Sequence, residues 1–116
     1  MKKATRARRK PVRYVNCRIA YGGLGGDFFA RCVAVNSVFC VWEARTEVST
    51  EYTFSLTHRQ TGYRAGLYRS VADAKKAAKA LLKTYPLRSW RFSDPLAAKK
   101  FKDAPQIVTT HGGINA

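Results

Sequence analysis

The sequence predicts an α+β domain: an antiparallel sheet of about four or five strands, packed by one main helix, with a short C-terminal helix. Three observations carry this. Between Val12 and Arg69 the apolar residues fall in β-branched and aromatic runs separated by turn signals, the pattern of successive strands. From Ser70 to Tyr85 the pattern becomes that of an amphipathic helix, and Pro86 stops it. A chain of 116 residues with 46% apolar side chains fills one core and is too short for two. The expected organisation is a disordered basic arm over 1–11, a single domain over 12–103 and a flexible tail over 104–116.

The first extended run carries Val12, Tyr14, Val15, Cys17, Ile19 and Tyr21. Gly22 to Gly26 contains four glycines and reads as a turn, because glycine loses too much entropy in a strand interior. Phe28 to Val35 is a second run, closed by the turn signal Asn36-Ser37. The third, Val38 to Val48, opens with Val-Phe-Cys-Val-Trp, apolar on both faces as in a central strand. Glu51 to His58 alternates cleanly: Tyr52, Phe54, Leu56 and His58 share one face, while Thr53, Ser55, Thr57 and Arg59 share a polar face expected to be free. Gln60-Thr61-Gly62 is the hairpin turn, and Tyr63 to Arg69 returns.

Ser70 with Asp73 three residues later forms a capping box at the helix start. On the helix, Lys75, Lys76, Lys79 and Lys83 fall within one arc of about 100°. Ala74, Ala78, Leu81, Leu82 and Tyr85 lie opposite, so one face packs and the other is uniformly positive. Leu87 to Phe92 is a short strand or loop. Asp94-Pro95 is a cap followed by a first-position proline, opening a short helix to Lys102.

Charge narrows the function. Lys and Arg number 22 against 7 Asp and Glu, a net charge of +15. Residues 1–18 hold eight basic side chains and no acid, 19–57 are net −2, and 58–102 are net +10. A positive arm and a positive C-terminal half around a slightly acidic middle favour phosphate-bearing polymers through counterion release. The candidate contacts to nucleic acid, DNA rather than RNA, are Arg6, Arg8 and Arg9 of the arm, Arg45, Arg59, Arg64 and Arg69 around the hairpin, Lys75, Lys76, Lys79 and Lys83 on the helix, and Arg88 and Arg91 beyond it. Trp90 and Phe92, interleaved with the last two, read either as stacking surfaces for bases or as core. The rival partner is a protein with an acidic surface, docked on the same basic face.

Other chemistry finds little support. Gly22 to Gly26 matches neither the dinucleotide fingerprint nor the P-loop, and no nucleophile, base and oxyanion site assemble in the sequence, so no enzyme and no cofactor are expected. Cys17, Cys32, Cys40 and His58 have the residue types of a zinc site but not its close ligand pairs. They read as free thiols in a reducing compartment, without metal. No apolar run approaches the roughly 20 residues that span a bilayer, and the basic N-terminal stretch is followed by no apolar run. The expected location is the cytoplasm, or the nucleoid or nucleus of a suitable host.

Four short motifs carry a resemblance: Trp42 on a strand, Thr61-Gly62-Tyr63-Arg64 at the hairpin, Gly66-Leu67-Tyr68 before the cap, and Ser70-Val71-Ala72-Asp73-Ala74 opening the helix. With them, residues 38–85 resemble the three-strand-plus-helix layout of AP2-type domains and of the arm-binding N-terminal domains of phage integrases, and the small basic chain resembles proteins of phages and mobile elements. That resemblance implies DNA recognition by the sheet, with Arg45, Arg59 and Arg64 as contacts ahead of the lysine stripe. Glu43, Glu47 and Glu51 depart from it by placing acids around the contact sheet, and the strands from Val12 to Val35 lie outside it.

Overall fold

The structure, a computed structural model, describes residues 12–19, 28–44 and 50–115. The arm, the glycine-rich turn and Arg45 lie outside these residues. Five strands, β1 (Tyr14–Ile19), β2 (Phe28–Ala34), β3 (Phe39–Glu43), β4 (Phe54–His58) and β5 (Arg64–Tyr68), form one antiparallel sheet in the order β1-β2-β3-β4-β5. Helix α1 (Val71–Thr84) packs on it, two 3-10 turns follow at Leu87–Trp90 and Pro95–Lys100, and helix α2 (Ala104–Thr110) closes the chain. The fold is the expected α+β, and β3, the run apolar on both faces, is the central strand.

Local chemistry explains the boundaries. Asn36 turns the chain between β2 and β3, its Oδ1 accepting from the backbone N–H of Val38 at 2.8 Å and of Phe39 at 2.7 Å. Gly62, with φ of 80°, supplies the left-handed residue of the β4–β5 turn, and its N–H donates to the His58 carbonyl at 2.7 Å. Ser70 caps α1 by accepting from the Asp73 N–H at 3.1 Å. Asp94 accepts from the Leu96 N–H at 3.0 Å, and the turn it opens is 3-10 rather than α-helical.

Alternation along the strands sends two sets of side chains to opposite faces. Phe39, Val41, Leu56, Ala65 and Tyr68 meet Ala74, Ala77, Ala78 and Leu81 of α1, and the three alanines let the helix lie close on the sheet. Cys17, Ile19, Cys32 and Cys40 form a second buried cluster, with Val15, Ala30 and Trp42 against it. These residues lie on the face turned away from α1, as the pairing register shows. The sulfurs of Cys17, Cys32 and Cys40 all lie within 4.8 Å of one another. In a flat sheet β1 and β3, separated by β2, would be roughly 9.6 Å apart, twice the ordinary strand spacing. The sheet therefore curls about β2, and the cysteine face is its concave side.

Burial on this face overturns one expectation. Ser55 and Thr57 belong to the concave face and are each only 1% exposed, so the polar face of β4 is buried rather than free. Their hydroxyls satisfy each other at 3.1 Å, which makes burial affordable for two otherwise solvent-seeking groups. A second correction concerns the C-terminus. In place of a loose tail, residues from Ala104 form α2, bury Ala104 and Val108, and add an antiparallel bridge in which Leu67 and Ile114 exchange two 2.9 Å backbone hydrogen bonds. The segment offers few apolar residues, and its anchoring is made by backbone pairing that side-chain pattern does not reveal.

β5 carries a bulge. Thr57 pairs with Arg64 and Ser55 with Leu67, so Leu56 stands opposite both Ala65 and Gly66. Gly66 has φ of 99°, and a Cβ there would lie 2.6 Å from Val108 Cγ1. Gly66→Ala is thus expected to destabilise the fold by about 3 kcal/mol, from backbone strain and overpacking together. Urea unfolding measures it, and a loss below about 0.5 kcal/mol would contradict the bulge geometry.

Candidate nucleic-acid interface

Helix α1 sets the geometry of the basic surface. Burial of Ala74, Ala77, Ala78 and Leu81 at helical spacing forces Lys75, Lys76, Lys79 and Lys83 outward, and all four are exposed. Arg88 and Arg91 are exposed on the segment that follows the helix. Among the described residues none of these six makes a salt bridge. Their charge is balanced by solvent ions, which a polyanion can release.

The segment bearing Arg88 and Arg91 is held by a chain of buried hydrogen bonds. Trp90 is 2% exposed and stacks on Phe101 with centroids 4.2 Å apart, while its Nε1–H donates to the Tyr85 carbonyl at 3.0 Å. His58, 1% exposed, bridges this segment to the hairpin. Its Nε2 lies 2.7 Å from the Trp90 carbonyl, which can only accept, so the proton is on Nε2. Nδ1 then accepts from the Thr61 hydroxyl at 2.7 Å, and Thr61 Oγ1 accepts in turn from the Tyr63 N–H at 3.1 Å. Phe92 stacks on the imidazole at 4.5 Å. Trp90 is therefore a core residue, and the half-buried Phe92 is committed to His58, so neither offers a face to a base.

The hairpin arginines are also engaged. Arg59 donates from Nη1 to the Asn36 carbonyl at 2.9 Å. Arg64 is half-buried and donates from Nε to Ser55 Oγ at 3.2 Å, and its burial disfavours the charged form. Arg69 lies over the Tyr52 ring at 4.9 Å and pairs with Glu51 at 3.4 Å, an exposed contact of small energy. Arg59 and Arg64 do not project from a free polar sheet face, because Ser55 and Thr57 of that face are covered. Arg6, Arg8, Arg9 and Arg45 lie outside the described residues. Of the predicted contacts, Lys75, Lys76, Lys79, Lys83, Arg88 and Arg91 are exposed with no salt bridge among the described residues, while Arg59, Arg64 and Arg69 have partners.

A second surface escaped the sequence reading. On the face of β1 and β2 opposite the cysteines, the register sets Tyr14, Asn16 and Arg18 beside Phe29 and Arg31. Phe29 is 74% exposed, Tyr14 is 52% exposed, and the Arg31 guanidinium lies 4.3 Å above the Tyr14 ring. An aromatic–arginine surface of this kind suits stacking on bases. Alternation within each strand was visible, but which face of β1 and β2 lay beyond the reach of α1 was not.

The three thiols are free. His58 is on the opposite side of the sheet from Cys40, so the four-ligand set of three cysteines and this histidine does not form. Cys32 donates to the Ala30 carbonyl at 3.4 Å when neutral; as a thiolate it accepts from Cys40 and Cys17, which draws its pKa down while that of Cys40 goes up.

No family model, no curated protein and no solved structure matches this chain.

Burial lowers the pKa of His58, against the smaller raising effect of its bond to the Trp90 carbonyl. The native state therefore holds a neutral imidazole, whereas the unfolded chain protonates it below about pH 6.5. Stability from this source is complete above that pH and is lost as pH falls beneath it. Urea midpoints at pH 7.5 and 5.5 should show the wild type weaker at 5.5, with a smaller drop in His58→Gln. Equal drops in the two proteins would contradict a buried neutral His58.

Proposed function

We propose that this protein binds nucleic acid, duplex DNA foremost, through phosphate contacts made by the outer face of α1 and the adjoining Arg88 and Arg91. The observation that carries the reading is the group of six exposed cations on one continuous stretch of chain, none of them in a salt bridge among the described residues. Lysines at this spacing are point charges on flexible stems, suited to phosphate and indifferent to base identity. The basic arm with Arg6, Arg8 and Arg9 adds to the same electrostatic attraction. The Phe29–Arg31–Tyr14 surface is a second contact area, for unpaired bases.

Binding of this kind fits an accessory or regulatory role rather than catalysis. His58, buried and bonded at both ring nitrogens, is occupied in holding the fold. The resemblance to AP2-type and integrase arm-binding domains supports the same partner by a different route, but the burial of Ser55 and Thr57 favours the helix over the sheet as the contact surface.

The test is the dependence of affinity on salt. For a duplex, log Kd should rise with log salt at about 0.9 per phosphate contact. Replacing Lys75, Lys79 and Lys83 together by Ala should reduce that slope by up to about 2.7 and weaken all sequences alike, with α1 intact because alanine is the better helix former. An unchanged slope in the triple variant would overturn the placement on α1. A slope near zero in the wild type would overturn nucleic acid as the partner and favour an acidic protein surface.

A further inference from the structure

The concave face of the sheet carries a group of side chains that nucleic-acid binding does not use. Cys17 on β1, Cys32 on β2 and Cys40 on β3 are 3%, 1% and 0% exposed, and their sulfurs lie within 4.8 Å of one another. Each projects from a paired strand, so the three positions are fixed by backbone hydrogen bonds and not by a loop. A sulfur–metal bond is about 2.3 Å, which puts three sulfurs around a trigonal ion about 4.0 Å apart. Closing the present triangle on an ion requires a contraction of less than about 1 Å.

The geometry points to a three-thiolate site for copper(I), held by Cys17, Cys32 and Cys40. The ligand set selects the ion. Structural zinc takes four ligands, and His58 is across the sheet. Of the other described polar side chains on this face, Ser55 and Thr57 offer neutral hydroxyls, which are poor ligands for a soft ion, and they are bonded to each other. Thiolates in a dry setting select soft, low-coordinate copper(I). Val15, packed against the cysteines, also lines a cleft of about 370 Å³ walled by Arg13, Ala34, Asn36 and Arg59. Val15 stands between that cleft and the buried sulfurs. Binding is a ligand exchange: up to three S–H protons leave to solvent, three S–Cu bonds form, and copper stays in the +1 state.

The experiment titrates the reduced full-length chain, without oxygen, against copper(I) held by a chromogenic chelator. One equivalent per chain should be withdrawn from the chelator. Cys32→Ala, checked for its fold by near-ultraviolet circular dichroism, should lose at least tenfold in affinity, and Cys17→Ala should behave likewise. X-ray absorption on the wild-type complex decides the matter even where a variant does not fold, and should show three sulfur neighbours at about 2.3 Å. Failure to withdraw copper(I), binding that survives in folded cysteine variants, or a shell containing nitrogen or oxygen would each overturn the site. Retention of zinc in a four-ligand shell in preference to copper(I) would overturn the choice of ion.

Discussion

The constraint on which this structure depends is that β3 must be covered on both faces. Phe39 and Val41 point one way and Cys40 the other, and all three are buried. A single helix can cover only one face of a sheet, and the segments after β5 go to that side. On the other face the cysteines of β1, β2 and β3 converge, buried and with their sulfurs within 4.8 Å of one another. Small side chains are what this requires: Cys17, Cys32 and Cys40 leave room for three strands to converge where leucines would hold them apart. Ser55 and Thr57 lie on the same face, are buried with these cysteines, and bond to each other.

The position of the basic surface follows. α1 lies on the side opposite the cysteines through its alanines, which leaves its lysines exposed. The segment after the helix is returned to the hairpin by His58, whose imidazole joins the Thr61 hydroxyl to the Trp90 carbonyl. Two buried hydrogen bonds are worth only about 1 kcal/mol each, yet leaving either nitrogen without a partner costs more than the bond contributes. Arg88 and Arg91 thereby sit on a segment anchored by Trp90, in a core with Phe92, Phe101 and Phe39.

Much of the fold was legible because it rests on local signals. Asn36, Gly62 and Ser70 mark their turns and cap by side-chain chemistry that acts within three or four residues, and the alternation from Tyr52 to Arg59 correctly separates the two faces of β4. The lysine stripe was legible for the same reason, since helical periodicity places Lys75, Lys79 and Lys83 without any tertiary information. What could not be read is how the faces are used. Alternation shows that Ser55 and Thr57 oppose Leu56, but not that their face is buried. The cysteine triangle is dispersed over three strands, with separations in sequence unlike those of known metal sites, and only the pairing register brings the sulfurs together. Trp90 read as core ahead of stacking surface, and its anchoring depends on His58, 32 residues away. Phe29 and Arg31 were hidden by the same gap, because their exposure depends on where the helix ends against the sheet.

Residue-by-residue amine footprinting, with and without bound duplex, tests the central claim most directly: that the polyanion lies on the outer face of α1. Under conditions where the duplex is retarded by the protein, Lys75, Lys76, Lys79 and Lys83 should each lose reactivity toward an amine-modifying reagent. Full reactivity of all four in the retarded complex would place the nucleic acid on another surface and contradict the account.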